Sequence, residues 1–305
     1  LVGDSDAVVA IKEIKRGGCG AHRIEREIRI LESARKHRAI TELYDVYVTH
    51  DKVLMVMEYC EGGDLFDRLN ETGPYSESDA QRHIRSIVEA LSFLHNECVP
   101  SIIHRDLKPG NLLVTRACEL RITDFGLARL QSVCSRGQGG DVDAGPMTQH
   151  VVTRWYRPPE LMLAPDGRYT NSVDMWSVGC ILAELLGRRP LFPGKNFVHQ
   201  LQLIFDVIGA PSPDKAKAVR NKQARKFLET VKGKPKVPFA KVFPKAHRAA
   251  HDVLEKLLAY SSTDRSAAVD LLEHDYFRTL SYADPLPINE PDAPEADFRF
   301  KYKER

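Results

Sequence analysis

HRDLKPGN, residues 104–111, is the stretch that decides the fold, and a short apolar run lies on each side of it. Because these runs anchor both ends of a loop, Asp106 and Asn111, five positions apart, can point into one cleft. A second motif, Asp124-Phe125-Gly126, follows. Asp-x-Gly is common in turns, but the HRDLKPGN stretch before it argues against a plain turn here.

Two further signals frame these motifs. Lys12 ends the apolar run VVAIK at residues 8–12, and Glu27 lies on the amphipathic segment that follows. The triplet PPE occupies residues 158–160, downstream of both loops. Lys12 or Glu27 alone would be an ordinary surface charge, but chance occurrence of all these signals in this order is negligible.

In this order, VAIK, HRDLKPGN, DFG and PPE resemble the signature of the eukaryotic protein kinases. The resemblance implies an α+β, two-lobed kinase fold with ATP and Mg²⁺ as cofactors. Its expected parts are a β-rich N-lobe at 1–57, a hinge at 58–61, a large helical C-lobe at 62–278 and a C-terminal strap at 279–305.

The resemblance also implies what each catalytic side chain does. Asp106 accepts or orients the proton of the substrate hydroxyl, and Lys108 lies at the transferred phosphate. Lys12 pairs with the α- and β-phosphates of ATP and is positioned by an ion pair to Glu27. Asn111 completes the catalytic set as a metal ligand.

The implied nucleotide site extends from the metal to the hinge. Asn111 and Asp124 are expected to hold Mg²⁺, and the hinge follows Met57. The other ATP-binding residues expected are Glu58 and Cys60 through their backbone, Ala10 above adenine, Leu113 below it, and Asp64 at the ribose. Ala10, Leu113 and Asp64 can equally be plain core or helix-cap residues.

The family within the kinases is indicated further along the chain. Residues 147–160, MTQHVVTRWYRPPE, resemble the activation segment of mitogen-activated and cyclin-dependent kinases, and 192–212, 224–247 and 264–277 resemble the mitogen-activated kinases. This resemblance implies a proline-directed serine/threonine kinase, with Ser/Thr-Pro protein substrates, an upstream activating kinase and docking-peptide proteins as partners.

Thr148 aligns with the activating threonine of that family. Its phosphorylation would add about −1.5 to −2 charges and acceptor oxygens for arginine, and Arg105 is the expected partner. In the family, Arg154 and Arg157 face a second phosphate, on a tyrosine at the position of His150. Because imidazole cannot carry an aryl phosphate, Thr148 alone is expected to control activity.

The N-terminus departs from the kinase pattern. Only eleven residues precede Lys12, no GxGxxG loop occurs among them, and the first residue is Leu. We therefore expect the sequence to begin inside a longer translated protein, with the N-lobe incomplete. The alternatives are a cyclin-dependent-like kinase, although the helix at 22–31 carries no cyclin-binding signature, and a weakly active kinase-fold signalling scaffold without a phosphate lid.

Composition excludes several other classes. The chain has 305 residues, 43% hydrophobic and 28% charged, as in a globular protein. A net charge of +2 does not indicate nucleic acid or membrane as a partner.

Six cysteines without a CxxC pair predict reduced thiols in the cytoplasm, with the nucleus as a second possible compartment. The longest apolar stretch, 178–186, is too short to span a bilayer. A monomer is expected.

Periodicity adds specific structural predictions for the N-lobe and its border. Strands are predicted at 8–11, 46–48 and 53–57, with a hairpin joining the last two, and a helix at 22–31. Ser76 and Asp79 predict a capping box before a core-facing helix.

The C-lobe carries its own signals. A buried helix at 173–186 is predicted to end at Gly187. Its Asp174 needs donors and should hold the backbone of His104 and Arg105. The kinase resemblance implies a structural ion pair between Glu160 and Arg265. A mobile loop is expected at 131–146.

Overall fold

A three-stranded antiparallel sheet forms the small lobe. The computed structural model describes residues 8–16, 21–35, 37–71, 76–131, 154–163 and 170–278. The strands are β1 (Val9–Lys15), β2 (Leu43–Val48) and β3 (Lys52–Glu58), in the order β1-β3-β2. The predicted hairpin is confirmed, with Val48 opposite Val53. Every second residue of β3 is buried, which gives the sheet one face toward the core.

Helix α1 (Ala21–Ala34) packs against this sheet and confirms the helix predicted at 22–31. Ile24 and Leu31 of the predicted apolar face are buried, and Ile28 is partly buried. Glu27 lies between them on the helix and is also buried. A helix that buries its apolar face in the small lobe therefore carries one acid into the interior.

The large lobe is helical, as predicted. Its longer helices are α3 (Glu77–Ser92), α5 (Ser172–Gly187), α6 (Phe197–Ile208), α8 (Lys222–Thr230) and α10 (Arg248–Leu257). Shorter helices are α2 (Leu65–Glu71), α4 (Pro159–Leu163), α7 (Pro213–Lys217), α9 (Phe239–Val242), α11 (Ala268–Leu272) and α12 (Asp275–Arg278). None of the helices in the described part of the chain combines the length and apolarity needed to cross a membrane.

Helix α3 shows how the local sequence fixes an element. The Ser76 side chain accepts from the Asp79 N–H and the Asp79 side chain accepts from the Ser76 N–H, which is the predicted capping box. The apolar stripe that follows faces the core, because Ile84, Ile87 and Leu91 are fully buried. A π-helical turn, Phe93–Glu97, ends the helix.

Helix α5 passes through the centre of the large lobe and ends at Gly187, as predicted. The reason differs from the one expected, because the left-handed residue is Arg188, with φ 56°. A Cβ on Gly187 would lie 2.9 Å from Cε1 of Phe243. Gly187 is thus required by close packing rather than by its backbone angle.

Two short strand pairs flank the HRDLKPGN loop and the DFG loop. Strands β4 (Ser101–Ile103) and β5 (Leu112–Val114) flank HRDLKPGN, and β6 (Leu120–Ile122) and β7 (Arg129–Gln131) flank DFG. Strand β4 pairs with β7 and β5 pairs with β6. The four strands therefore clamp both loops side by side at the border of the lobes. Residues 132–146 of the predicted loop, Thr148 and the strap at 279–305 lie outside the described residues.

Candidate active site

Lys12 joins the two lobes through a pair of carboxylates. Its Nζ lies 2.6 Å from Oε1 of Glu27 on α1 and 2.9 Å from Oδ1 of Asp124 in the DFG loop. Burial acts to lower the pKa of Lys12, but the two carboxylates outweigh it and the pKa is raised. The pKa of Asp124 is lowered for the corresponding reason: burial opposes its charge, and Lys12 overcomes burial. Lys12 and Asp124 are therefore both charged at neutral pH.

The catalytic loop is built around the Asp106 carboxylate. Lys108 Nζ donates to Asp106 Oδ2 at 2.8 Å, and Asn111 Nδ2 donates to the same oxygen at 3.0 Å. Asn111 Nδ2 also donates to the Asp106 carbonyl at 2.8 Å. The Thr123 N–H donates to the Asn111 carbonyl, which ties this loop to the start of DFG. The loop thus concentrates one acid, one cation and one amide within hydrogen-bond distance of one another.

The Asp174 carboxylate on α5 accepts hydrogen bonds from the backbone at the start of this loop. Its Oδ2 accepts from the His104 N–H at 2.9 Å and its Oδ1 from the Arg105 N–H at 2.8 Å, as predicted. His95 Nε2 lies 2.9 Å from Oδ2. Asp174 is fully buried, and burial acts to raise its pKa, but the hydrogen bond and charge of His95 and the Arg105 N–H lower it overall.

Two residues of the loops have left-handed backbones. Arg105 has φ 70° and Asp124 has φ 62°, which non-glycine residues rarely adopt. Such conformations persist only where surrounding contacts fix them, and the Asp174 bonds fix Arg105. Gly126 allows a close approach on the other loop, because a Cβ there would lie 3.3 Å from Asp124 Oδ1 and 3.4 Å from Glu27 Oε2.

Comparison with known proteins agrees with this geometry. The protein kinase domain family model matches residues 2–277. The chain is 39% identical over 285 residues to mitogen-activated protein kinase PMK11 of Pyricularia oryzae, covering 92% of this chain and 76% of that protein. This chain belongs to the protein kinase family, among the mitogen-activated protein kinases.

Other relatives carry related names. Mitogen-activated protein kinase spm1 of Schizosaccharomyces pombe is 41% identical over 284 residues, which cover 92% of this chain and 64% of the relative. Extracellular signal-regulated kinase 1 of Dictyostelium discoideum is 37% identical over 287 residues, covering 92% and 52%. The chain thus spans between about half and two thirds of the length of these two relatives.

The expected metal ligands of this kinase suit Mg²⁺. Asp124 offers a carboxylate and Asn111 an amide oxygen, both hard donors that Mg²⁺ prefers. Within the described ranges, no group of three or more His, Cys, Asp or Glu side chains could hold a metal ion. Mg²⁺ is commonly bound by few protein ligands, with substrate phosphates and water completing its shell.

The residues expected at the nucleotide base lie at the junction of the lobes. Ala10 is opposite Met57 in the β1–β3 ladder. The side chain of Glu58 accepts from Arg121 Nε at 3.0 and 3.1 Å, so it is turned toward β6. Cys60 is buried, and burial raises the pKa of its thiol to about 11. The two side chains are thus turned to other partners or buried. Of the backbone groups, the Glu58 N–H already donates to the Glu42 carbonyl, and the Cys60 carbonyl accepts from the Gly63 N–H. The groups left for a ligand in the described structure are the Glu58 carbonyl and the Cys60 N–H.

Asp64 has a second role that the sequence had left open. Its Oδ1 accepts from the Asp67 N–H at 2.9 Å and so caps α2. The backbone of Asp64 also forms an antiparallel bridge with Leu113. The bridge brings together the residues expected at the ribose and below adenine, while the cap explains the Asp at this position without any nucleotide.

The arginines expected to bind phosphate are spread along the border of the substrate cleft. Arg154 Nη1 donates to the Lys195 carbonyl at 3.1 Å. Arg157 is half-buried; burial lowers its pKa, and the Asp106 carboxylate acts in the opposite direction. Arg105 adjoins Asp106 in sequence. Thr148 lies outside the described residues, so its contact with Arg105 stays a prediction.

Glu160 serves the large lobe rather than the cleft. Arg265 Nη1 and Nη2 donate to its two oxygens at 2.6 and 2.7 Å, which confirms the predicted pair. The Arg265 guanidinium lies 5.0 Å from the ring centre of Trp176 and is fully buried. Unlike the partly exposed Glu160, Glu184 is buried, and it accepts from the Tyr156 hydroxyl at 2.6 Å.

Sequence reasoning missed His95 and the edge-to-face contact of His104 with Phe125. The His104 and Phe125 rings lie edge to face with centres 4.8 Å apart. His95 is a single histidine in an apolar stretch, and no spacing pattern links it to Asp174, 79 residues away. The demand of a buried carboxylate for donors was the only signal, and it does not say which side chain will supply them.

Proposed function

We propose that this chain is the catalytic domain of an ATP- and Mg²⁺-dependent, proline-directed serine/threonine protein kinase. The observation that carries the proposal is the position of Lys12, bonded at once to Glu27 of the small lobe and Asp124 of the DFG loop. A cation shared by these acids is what a nucleotide triphosphate and its metal require. A domain that only binds partners has no chemical need for it.

The chemistry proposed is phosphoryl transfer by positioning and charge neutralisation. Asp106 accepts a hydrogen bond from the substrate hydroxyl through Oδ1 and orients it toward the terminal phosphate, because Lys108 and Asn111 already donate to Oδ2. Lys108, 2.8 Å from that oxygen, is close enough to neutralise charge on the phosphate in transfer. Asn111 holds Asp106 in place. When bound, Mg²⁺ on Asn111 and Asp124 would neutralise phosphate charge.

Regulation and substrate choice are proposed from the family. An upstream kinase phosphorylates Thr148, and the phosphate recruits Arg105 next to the catalytic acid. The relatives' names support a mitogen-activated protein kinase that acts on protein substrates. Ser/Thr-Pro sites and docking-peptide partners are proposed from the family resemblance. The four described cysteines are free thiols, which supports a reducing compartment, the cytoplasm or the nucleus.

The test is phosphate transfer by the full-length protein, activated by co-expression with a kinase that phosphorylates Thr148. A Ser-Pro peptide and its Ser-Ala counterpart are compared in the presence of Mg²⁺-ATP. We expect transfer to the Ser-Pro peptide that an Asp106→Asn control lacks. Equal transfer to both peptides would contradict proline direction. Absence of transfer, with partner binding retained, would support the signalling scaffold instead.

The single-threonine switch is tested separately. Thr148→Ala should remove activation, whereas His150→Ala should leave it intact because His150 carries no phosphate. Mass-spectrometric mapping of phosphates in the active protein checks both expectations. An essential second phosphate within residues 141–157 would overturn the single-switch proposal.

A further inference from the structure

Positive charge is concentrated in one stretch of the large lobe. Residues 213–248 contain twelve Lys and Arg against two Asp and Glu. The whole chain has 44 basic and 42 acidic residues, so the rest of it carries 32 basic against 40 acidic residues. The net charge of +2 thus hides a strongly basic stretch in a chain that is otherwise acidic.

The basic residues of this stretch, apart from Lys241, Lys245 and Arg248 near its end, fall into two sets. Four lysines have an acidic partner: Lys215 pairs with Asp264, Lys232 with Glu229, Lys234 with Asp206 and Lys236 with Glu255. We name the other set the basic cluster, which consists of Lys217, Arg220, Lys222, Arg225 and Lys226. All five are exposed, and none forms an ion pair or side-chain hydrogen bond with a residue of the described structure.

The basic cluster does not serve the stability of its own helix. Lys222, Arg225 and Lys226 lie in the first half of α8, which has no acid in its first turn. Cations are unfavourable near a helix N-terminus, and like charges three or four residues apart repel. An Asp or Glu at any of these positions would suit the isolated fold better.

Other residues of α8 cap the helix and anchor it in the core. The Asn221 side chain caps it by accepting from the Gln223 and Ala224 N–H groups. Ala224 and Leu228 are buried, and the Phe227 ring packs against Phe205 of α6. The cations therefore stand on a capped helix that is anchored in the core.

The surroundings of the basic cluster indicate the chemistry of its partner. No large hydrophobic side chain is exposed between residues 199 and 268, all of which the structure describes. Stacking of single-stranded nucleic acid needs aromatic groups, and membrane-surface helices insert apolar ones. A long duplex polyanion would also meet the net negative charge of the rest of the chain. A short acidic protein segment needs neither aromatic nor apolar side chains on the surface, and it does not extend over the negatively charged remainder of the chain.

We propose that the basic cluster docks an Asp/Glu-rich segment of a protein partner. Helix α8, which carries most of the cluster, packs on the C-terminal half of α6 through Phe227 and Phe205. The residues just before α6 contact the PPE-bearing segment, where Trp155 Nε1 donates to the Gly194 carbonyl at 3.1 Å. A substrate that carries an acidic stretch at a distance from its phosphorylated residue can be held by this cluster. This use in substrate choice rests on the proposed kinase function; docking itself does not.

The test measures binding of a fluorescent twelve-residue Asp/Glu-rich peptide to the full chain by anisotropy. The cluster variant is Arg220→Gln, Lys222→Gln, Arg225→Gln and Lys226→Gln. The matched control removes the same charge from the paired set, as Lys215→Gln, Lys232→Gln, Lys234→Gln and Lys236→Gln. We expect at least a tenfold loss of affinity in the cluster variant, less than threefold in the control, and weaker wild-type binding as salt rises.

Further arms separate the alternatives. Equal losses in both variants would show that only total charge matters and would overturn the proposal. Tighter binding of a 20-base-pair DNA duplex or of anionic lipid vesicles than of the acidic peptide would also overturn it. Urea midpoints of both variants near that of wild type show that folding is intact. Asp106→Asn should bind the peptide as wild type does, so an inactive enzyme and an absent docking surface give different results.

Discussion

The cleft and the core of the large lobe both contain acid–base pairs, but these pairs differ in what surrounds them. In the cleft, the side chains of Lys12 and Asp124 are 35% and 46% exposed, and Lys12 also bonds to the buried Glu27. In the core, Arg265 is fully buried and, besides Glu160, donates to the carbonyls of Ala259 and Ser172. A partly exposed pair can exchange a partner for a ligand, whereas a fully buried guanidinium with several acceptors can only hold structure.

The largest expected effect is a loss of phosphate transfer caused by a substitution in the cleft. Asp106→Asn keeps an oxygen that can accept from Lys108 but removes the proton acceptor. Transfer should fall about 10²–10⁴-fold, the usual contribution of a general base. The melting temperature should stay close to that of wild type. Peptide phosphorylation and thermal unfolding measured on one preparation check both parts, and a large drop in melting temperature would mean that Asp106 is also structural.

On the core side, Glu160→Ala should act on stability. It leaves the buried Arg265 guanidinium without its acid, and breaking such a pair costs about 3–5 kcal/mol. Glu160→Gln is the matched control, because its amide oxygen still accepts a bond and the loss should be smaller. Urea unfolding measures both. If Glu160→Ala proves as stable as wild type, Arg265 does not depend on this acid.

A smaller and pH-dependent effect is expected at Glu184. Burial raises the pKa of Glu184 above its ordinary value of 4.5, and the Tyr156 hydroxyl acts against this. Because the folded state then binds the proton more tightly than the unfolded state, the contribution of Glu184 to the free energy of unfolding falls as pH rises above 4.5 and levels off beyond the raised pKa.

Tyr156→Phe removes the hydroxyl that favours the charged form of Glu184. The loss of stability should be about 1–3 kcal/mol near neutral pH and should shrink as pH falls toward 4.5, because a protonated Glu184 depends less on this donor. Urea unfolding at a series of pH values measures the difference. Adding Glu184→Gln should flatten its pH dependence, and a difference that stays constant with pH would contradict this account.

The sequence predicted features that depend on neighbouring residues, and features that follow from a requirement every fold must meet. The Ser76–Asp79 capping box is a contact between neighbours, and a carboxylate on a helix as apolar as α5 must find donors wherever the fold brings them. The long-range partners are different. His95 reaches Asp174 only because α3 and α5 pack together. Asp64 caps helix α2, and in the sequence a capping acid cannot be distinguished from an acid that binds a ribose. The basic cluster was hidden because net charge averages over the whole chain.

Asp174 also has a bearing on how this enzyme can be controlled. It holds two consecutive amides at the start of the catalytic loop, and these bonds involve neither nucleotide nor substrate. The loop is thereby set before any ligand arrives, and the inactive and active forms should share it. Under the proposed function, control then acts elsewhere, through the reach of Lys12 across the lobes and through the proposed phosphorylation of Thr148.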